Sequence, residues 1–305
     1  MINGVINVYK EPGFTSHDVV AKLRGIAGQK KIGHTGTLDP DAEGVLPVCL
    51  GKATRACDML ADRSKTYEAV LLLGIETDTQ DTSGTVLEQK EVLVSEEEVR
   101  KCVASFVGLQ MQTPPMYSAK KVGGRKLYDL ARAGQTIERK AVPVHFYEIK
   151  ILDMHLPRVT LQVKCSKGTY IRTLCHDIGQ ALSCGGCMEH LLRTRVGAFD
   201  LENAHRLSEL QEAKDLGHLE ECLIPTDQLF ADLPAFRTWE DFDKALWNGN
   251  PVKSTEVRSF QDTAASPADI RMYDSKDHFI GIFTLDTLKM EWKPKKMFFD
   301  KEQLL

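Results

Sequence analysis

The sequence predicts an α+β protein built on a mixed, mainly antiparallel sheet, with a smaller β-rich unit at its C-terminal end. Helix-like and strand-like stretches are interspersed along the chain. The strand-like stretches alternate apolar and polar residues, as strands with one wetted face do, instead of running apolar like the strands of a parallel sheet. At 305 residues and 42% hydrophobic, the chain is long enough for one sizeable core and too long for a single compact domain.

Each element follows from local pattern. "GVINVYK" (4–10) alternates like a strand, and "EPGFT" turns the chain so that Ser16 can cap a helix. That helix carries Val19, Val20, Leu23 and Ile26 on one face and should stop near Gly28. "TYEAVLLLG" (66–74) reads as a buried strand. "SEEEVRKCVASFVG" (95–108) opens on a Ser95/Glu98 capping box and places Val99, Cys102, Val103 and Phe106 together. "VTLQVKCSKGTYIRTLCHDIGQAL" (159–182) alternates through Cys165, breaks at Ser166 to Gly168, and becomes helical. An acidic helix over "SELQEAKDLGHLEEC" precedes "IRMYDSKDHFIGIFTLD", two short strands around a polar turn. The domains expected are 1–230 and 231–305.

Composition narrows the class. No window approaches 18 uncharged apolar residues, and "MINGVINVYKEPG" lacks the basic start and long apolar core of a signal peptide, so the expectation is a soluble, cytoplasmic protein with no membrane partner. Eight scattered cysteines read as reduced thiols rather than a disulfide framework. The net charge of −4 is unevenly spread: residues 111–200 hold 14 Lys/Arg against 7 Asp/Glu, and residues 201–305 hold 13 against 20. The basic third is where a polyanion would dock; the plainer alternative is a set of solvated lysine faces.

Known cofactor motifs are absent. There is no GxxxxGK[ST], no dinucleotide fingerprint, and "CGGC" (184–187) has no second ligand pair at zinc spacing, so neither a cofactor nor a metal is expected. What remains is "IGHTGTLDPDAEGVLPVCLGKATR" (32–55), with three acids in a Gly-broken loop. Gly33, Gly36 and Gly44 permit positive φ and close approach of another backbone. Pro40 biases Asp39 away from helix and so fixes the direction of its carboxylate, as a nucleophile or general base requires. The alternative is a turn whose acids bond their own backbone. Spacing does not choose between Asp39, Asp41 and Glu43.

Read with "KEPGFTSHDVVAKLR", "SKTYEAVLLLGIETDTQDTSG" and "CSKGTYIRTLCHDIG", in that order, the loop resembles the signature of the TruB family, tRNA pseudouridine synthases that isomerise the T-loop uridine at tRNA position 55. The resemblance covers about residues 3–230. It implies the pseudouridine synthase fold, helices flanking the sheet, and a small PUA-like RNA-binding domain after residue 230. It also implies tRNA, through its T arm, as partner, and chemistry without a small-molecule cofactor. A monomer is expected.

Residue by residue, the resemblance puts the catalytic aspartate on Asp39. It puts the tyrosine that stacks on the flipped base on Tyr67, and the arginine that pairs with the aspartate on Arg172. His34 matches the histidine that fills the space vacated by the flipped nucleotides. Tyr170 and Leu191 match the base pocket, with Leu192 one residue away, and Lys10 begins the N-terminal motif, where the chain has Lys10-Glu11 in place of the family's Lys-Pro. Outside the resemblance, Tyr67 could be a core aromatic, His34 a surface imidazole and Arg172 a partner of Asp177. The segment 114–143, with seven Lys/Arg against two acids, falls where the family carries an RNA-clamping thumb, and the glycines at 123 and 124 could bend it. A tRNA-folding chaperone is the alternative function. A two-carboxylate glycosidase is a third, and gives no reason for the basic middle of the chain.

Overall fold

The computed structural model describes residues 2–118, 120–260 and 267–299. In chain order the first part contains β1 (Gly4–Lys10), α1 (Ser16–Ala27), β2 (Ile32–His34), β3 (Glu43–Leu50), α2 (Cys57–Ala61), β4 (Lys65–Leu73), β5 (Ile75–Thr77), β6 (Val86–Gln89), α3 (Glu96–Ser105) and β7 (Gly108–Gln112). Next come β8 (Lys121–Val122), β9 (Arg125–Lys126), α4 (Leu127–Arg132), β10 (Val142–His155), β11 (Arg158–Cys165), α5 (Ile171–Ala181), β12 (Gly186–Val196), β13 (Phe199–Asp200) and α6 (Leu207–Asp215). The last part holds β14 (Ala235–Thr238), α7 (Asp243–Trp247), β15 (Val252–Lys253), β16 (Val257–Ser259), β17 (Asp269–Tyr273), β18 (Phe279–Asp286) and β19 (Glu291–Met297).

The large sheet runs β1-β3-β12-β4-β11-β10-β7, with β2 beside β3 and β13 beside β12. Its pairings are antiparallel except β12 with β3, so the sheet is mixed and mainly antiparallel. Alternate residues split its two faces. Leu46, Val48 and Leu50 pack under α1 and α6, while Tyr67, Ala69, Leu71 and Leu73 pack against α3 and α5. On the opposite face Val45 and Cys49 meet Phe230, Ile282 and Phe298, which joins the large sheet to the smaller β15-β19-β18-β17-β14-β16 sheet through an apolar seam.

Local chemistry explains the boundaries. α3 begins with the expected reciprocal Ser95/Glu98 bonds. α1 differs in one detail: Thr15, not Ser16, is its cap, paired reciprocally with Asp18, because Ser16 is turned inward to bond the backbone of Leu38. The acidic helix also stops sooner than its composition suggests. α6 ends at Asp215, the chain turns through Gly217 at φ +81°, and 219–222 is a separate short 3-10 turn.

Candidate active site

The loop between β2 and β3 is held from below by the N-terminal motif. Lys10 is fully buried, and its ammonium donates to the carbonyls of Glu11 (3.1 Å), Pro40 (2.9 Å) and Ala42 (2.5 Å). Ser16 Oγ donates to the Leu38 carbonyl and accepts from the Leu38 amide, and Gly13 N–H donates to the Pro40 carbonyl. These bonds fix the backbone on both sides of Asp39. Burial lowers the Lys10 pKa to about 8.

Asp39 faces Arg172, the second residue of α5. The arginine reaches Asp39 Oδ2 through Nε at 2.9 Å and Oδ1 through Nη2 at 3.3 Å, a two-point contact. The same guanidinium lies 3.4 Å from Asp81 Oδ2 and donates to the carbonyls of Thr79 (3.0 Å) and Tyr117 (2.9 Å). Arg172 is 5% exposed, whereas Asp39 keeps 40% of its side-chain surface open, facing the cavity described next. Loss of hydration by burial in that recess raises the Asp39 pKa; Arg172 opposes the rise and Asp81 adds to it. The start of α5 is itself held, since the Gln112 side-chain amide bonds both the N–H and the carbonyl of Tyr170.

Asp39 and Arg172 line a cavity of about 270 Å³ whose walls include Tyr67, Tyr170, Leu191 and Arg193. Tyr67 is buried on β4, opposite Arg193 of β12, and burial raises its phenol pKa. Burial likewise raises that of Tyr170. Strand alternation settles the neighbouring leucines by geometry: Leu191 lines the cavity, while Leu192 lies against Gly44 on β3. A wider cleft of about 620 Å³ adjoins the cavity, lined among others by His17, Asp41, Asp81, Tyr128, Arg132 and His190.

Two sequence-identified residues are not on these walls. Lys10 is under the loop, turned into its carbonyls. His34 is half-buried at the end of β2, edge-on to His17 at 5.3 Å, and burial with the neighbouring His17 lowers its imidazole pKa. The other two acids separate by environment: Asp41 is exposed at the cleft, and Glu43 accepts from Tyr9 Oη at 2.6 Å and sits 2.9 Å from His190 Nε2. Arg172 pairs with Asp39 and Asp81, not with Asp177.

The loop glycines behave differently from expectation. Of Gly33, Gly36 and Gly44 only Gly44 has positive φ (+104°), and a Cβ there would lie 2.3 Å from the Arg193 carbonyl, so its clearance serves this chain's own β12. Gly33 and Gly36 have ordinary φ. In segment 114–143, β8 and β9 form a hairpin that turns on Gly123 (φ +58°) and Gly124 (φ +83°), and α4 follows with Leu127 and Leu130 buried. Tyr128 and Arg132 reach the cleft from this helix.

Sequence reasoning missed Asp81, Gln112 and Arg193. Asp81 lies in "TDTQDTSG", an acid in a small-residue loop like Asp39, and that pattern could have flagged it. Gln112 and Arg193 sit inside strands and carry no local signal. Among the described residues no cluster of three or more His, Cys, Asp or Glu is arranged to hold a metal ion. Cys184 and Cys187 are buried thiols with pKa values raised by burial, Cys187 to about 11, which suppresses the thiolate.

The chain is similar to known proteins over most of its length. The family model described as TruB family pseudouridylate synthase (N-terminal domain) matches residues 24–171, and that of the tRNA pseudouridylate synthase B C-terminal domain matches residues 172–231. Relatives named tRNA pseudouridine synthase B include one from Lachnoclostridium phytofermentans, 51% identical across 97% of this chain and 100% of its own length. Another, from Clostridium novyi, is 54% identical across 92% and 95%. Among solved structures, a chain of a Cbf5-Nop10-Gar1 complex is similar with a TM-score of 0.74 and 27% identity over 98% of this chain and 86% of that one. A chain of an H/ACA RNP bound to a substrate RNA containing 2′-deoxyuridine gives 0.73 and 26% over the same shares.

Proposed function

This chain belongs to the TruB family of pseudouridylate synthases and is an isomerase of that class, and we propose that it converts the T-loop uridine at tRNA position 55 to pseudouridine. The observation that carries the reading is the Asp39 carboxylate, held at two points by a buried arginine on the wall of a cavity that also carries Tyr67.

Isomerisation breaks the C1′–N1 bond, turns the uracil and rejoins it through C5, with no net redox change. In the proposed pathway the uridine leaves the RNA stack and enters the cavity. Extrusion costs a few kcal/mol, and stacking on one aromatic returns about 1–3 kcal/mol, so Tyr67 alone barely offsets it. His34 and the thumb supply the remaining stabilisation of the opened loop. Asp39 acts ionised, either attacking C1′ or removing the C2′ proton, and Arg172 keeps it charged. Lys10 and Ser16 act as positioning residues, because a carboxylate misplaced by about 1 Å can lose about 10²-fold in rate.

The PUA-like reading of the C-terminal sheet belongs to the same proposal, as does action as a monomer. The second sheet sits in the acidic part of the chain, so the phosphate contacts are assigned to the basic thumb. Mapping pseudouridine in an unmodified tRNA transcript after treatment with the protein tests the reading. Conversion confined to the T-loop uridine is expected; conversion elsewhere with that position untouched would overturn it.

A further inference from the structure

Two buried cations at the same cavity have no acid beside them. Arg193 is 1% exposed; its Nε donates to the Val45 carbonyl at 2.7 Å, Nη1 to the Thr37 carbonyl at 3.4 Å, and Nη2 has no partner. Lys65, 7% exposed, donates to the carbonyls of Ala61 (2.5 Å) and Arg63 (2.7 Å), which leaves its third proton unused. Among the described residues neither has a carboxylate within ion-pair distance, whereas Arg172 on the opposite wall has two. Both Arg193 and Lys65 line the cavity, and Arg193 lies against Tyr67 across the β12–β4 ladder.

An unpaired buried charge is costly, and a buried donor without a partner calls for a cause. The bond from Nε to Val45 ties β12 to β3, but that clip uses a single N–H, which a neutral donor would supply equally well, and gives no reason for a full positive charge. The reaction supplies one. When the C1′–N1 bond breaks, its electron pair leaves with the base, and uracil becomes an anion spread over N1, O2 and O4. Asp39 is consumed at the same moment, by bonding to C1′ or by taking the C2′ proton, so the negative charge passes from the carboxylate to the base. When C5 attacks C1′ the pair enters the new C–C bond, Asp39 leaves C1′ or returns the C2′ proton and so regains its charge, and the C5 proton is then lost to solvent while N1 takes one up. The charge to be stabilised thus moves away from Arg172 and onto the base.

Resting on the reading above, we propose that Arg193, backed by Lys65, is a catalytic residue that stabilises the detached uracil anion through its unpaired guanidinium N–H and its uncompensated charge. Donors fixed where charge develops, in a site that excludes water, are worth about 10²–10³ in rate. The tyrosine wall then orients the base while the cation behind it holds its charge during the turn from N1 to C5.

The test compares wild type, Arg193→Met, Arg193→Lys and Lys65→Met in single turnover, on tRNA carrying either uridine or 5-fluorouridine at the target. Nuclease digestion and chromatography follow loss of the target nucleoside, and tRNA affinity is measured alongside. Fluorine makes the departing base a more stable anion, so a residue that stabilises that anion matters less on the fluorinated substrate. Arg193→Met should slow loss of uridine by about 10²-fold or more with tRNA affinity unchanged. It should slow loss of 5-fluorouridine by clearly less, and Arg193→Lys should recover part of the rate. If Arg193→Met does not fold, Lys65→Met carries the test, with a smaller deficit and the same dependence on the leaving group. Equal deficits on both substrates, or a deficit confined to affinity, would overturn the inference. If wild type converts neither substrate, the pseudouridine synthase reading fails with it.

Discussion

Arg172 ties four segments with one side chain: the Asp39 loop, the turn at Thr79 and Asp81, the start of segment 114–143 at Tyr117, and its own helix α5. Removing one member of such a pair costs roughly 3–5 kcal/mol when the remaining charge is buried. Because Asp39 keeps 40% of its side-chain surface open to the cavity, the expected cost lies toward or below the lower end of that range. The sharper consequence is in pH dependence. In the proposed reaction Asp39 acts ionised; its pKa is raised by burial, and Arg172 holds it down. Activity is therefore lost as pH falls through that pKa. Arg172→Met should move the acid limb of the kcat/KM profile to higher pH, and Arg172→Lys, which keeps a charge, should move it less. An acid limb at the wild-type position in Arg172→Met would contradict the pairing. At this scale Asp39, Tyr67, Arg172, Tyr170 and Leu191 were named from their motifs, and the structure brings all five to one cavity. Asp81 and Arg193 were not named, because pairing across 91 residues of chain, or inward burial of a charged strand residue, is a tertiary fact with no local pattern.

Elements were legible where one period dominates. The helix over Glu96–Ser105 and the strands Gly4–Lys10 and Arg158–Cys165 follow directly from capping and alternation. The cap of α1 was displaced because Ser16 had a tertiary partner in Leu38, which leaves Thr15 to cap. The loop glycines were overread for a similar reason: Gly44 makes room for β12, which is remote in sequence. Segment 114–143 stood out by its charge, its paired glycines and its place in the family resemblance, and it leads to a prediction. Its basic side chains should bind phosphate, so tRNA affinity should fall steeply as salt rises. Arg125→Ala and Lys140→Ala should each reduce the slope of log affinity against log salt by about one, with little change in the reaction of bound tRNA. Affinity that stays flat between low and high salt would remove the thumb from the binding account.

At the scale of the whole molecule, one sheet carries Tyr67, Leu191 and Arg193 of the cavity and supports the loop and helix that bring Asp39 and Arg172 to it. The face bearing Tyr67 and Leu191 is packed beneath α3 and α5, and only the β12–β3 contact is parallel, which brings Arg193 beside the glycine that follows Glu43. The opposite face holds the second sheet through Val45, Cys49, Phe230, Ile282 and Phe298. Composition and alternation foretold the α+β class and the β-rich C-terminal region, since each depends only on local period. Strand order and the seam between the sheets depend on which apolar faces meet, and a single sequence does not encode that in any local window. What the arrangement provides is a fixed carboxylate on the wall of a cavity of about 270 Å³ that also carries Tyr67 and Arg172. The most direct test of that account uses tRNA labelled with tritium at uracil C5, because moving the glycosidic bond to C5 must release the hydrogen there. Wild type is expected to release the label, and Asp39→Asn to release none above background while still binding tRNA. Equal release by the two proteins, or no release by wild type, would contradict the account.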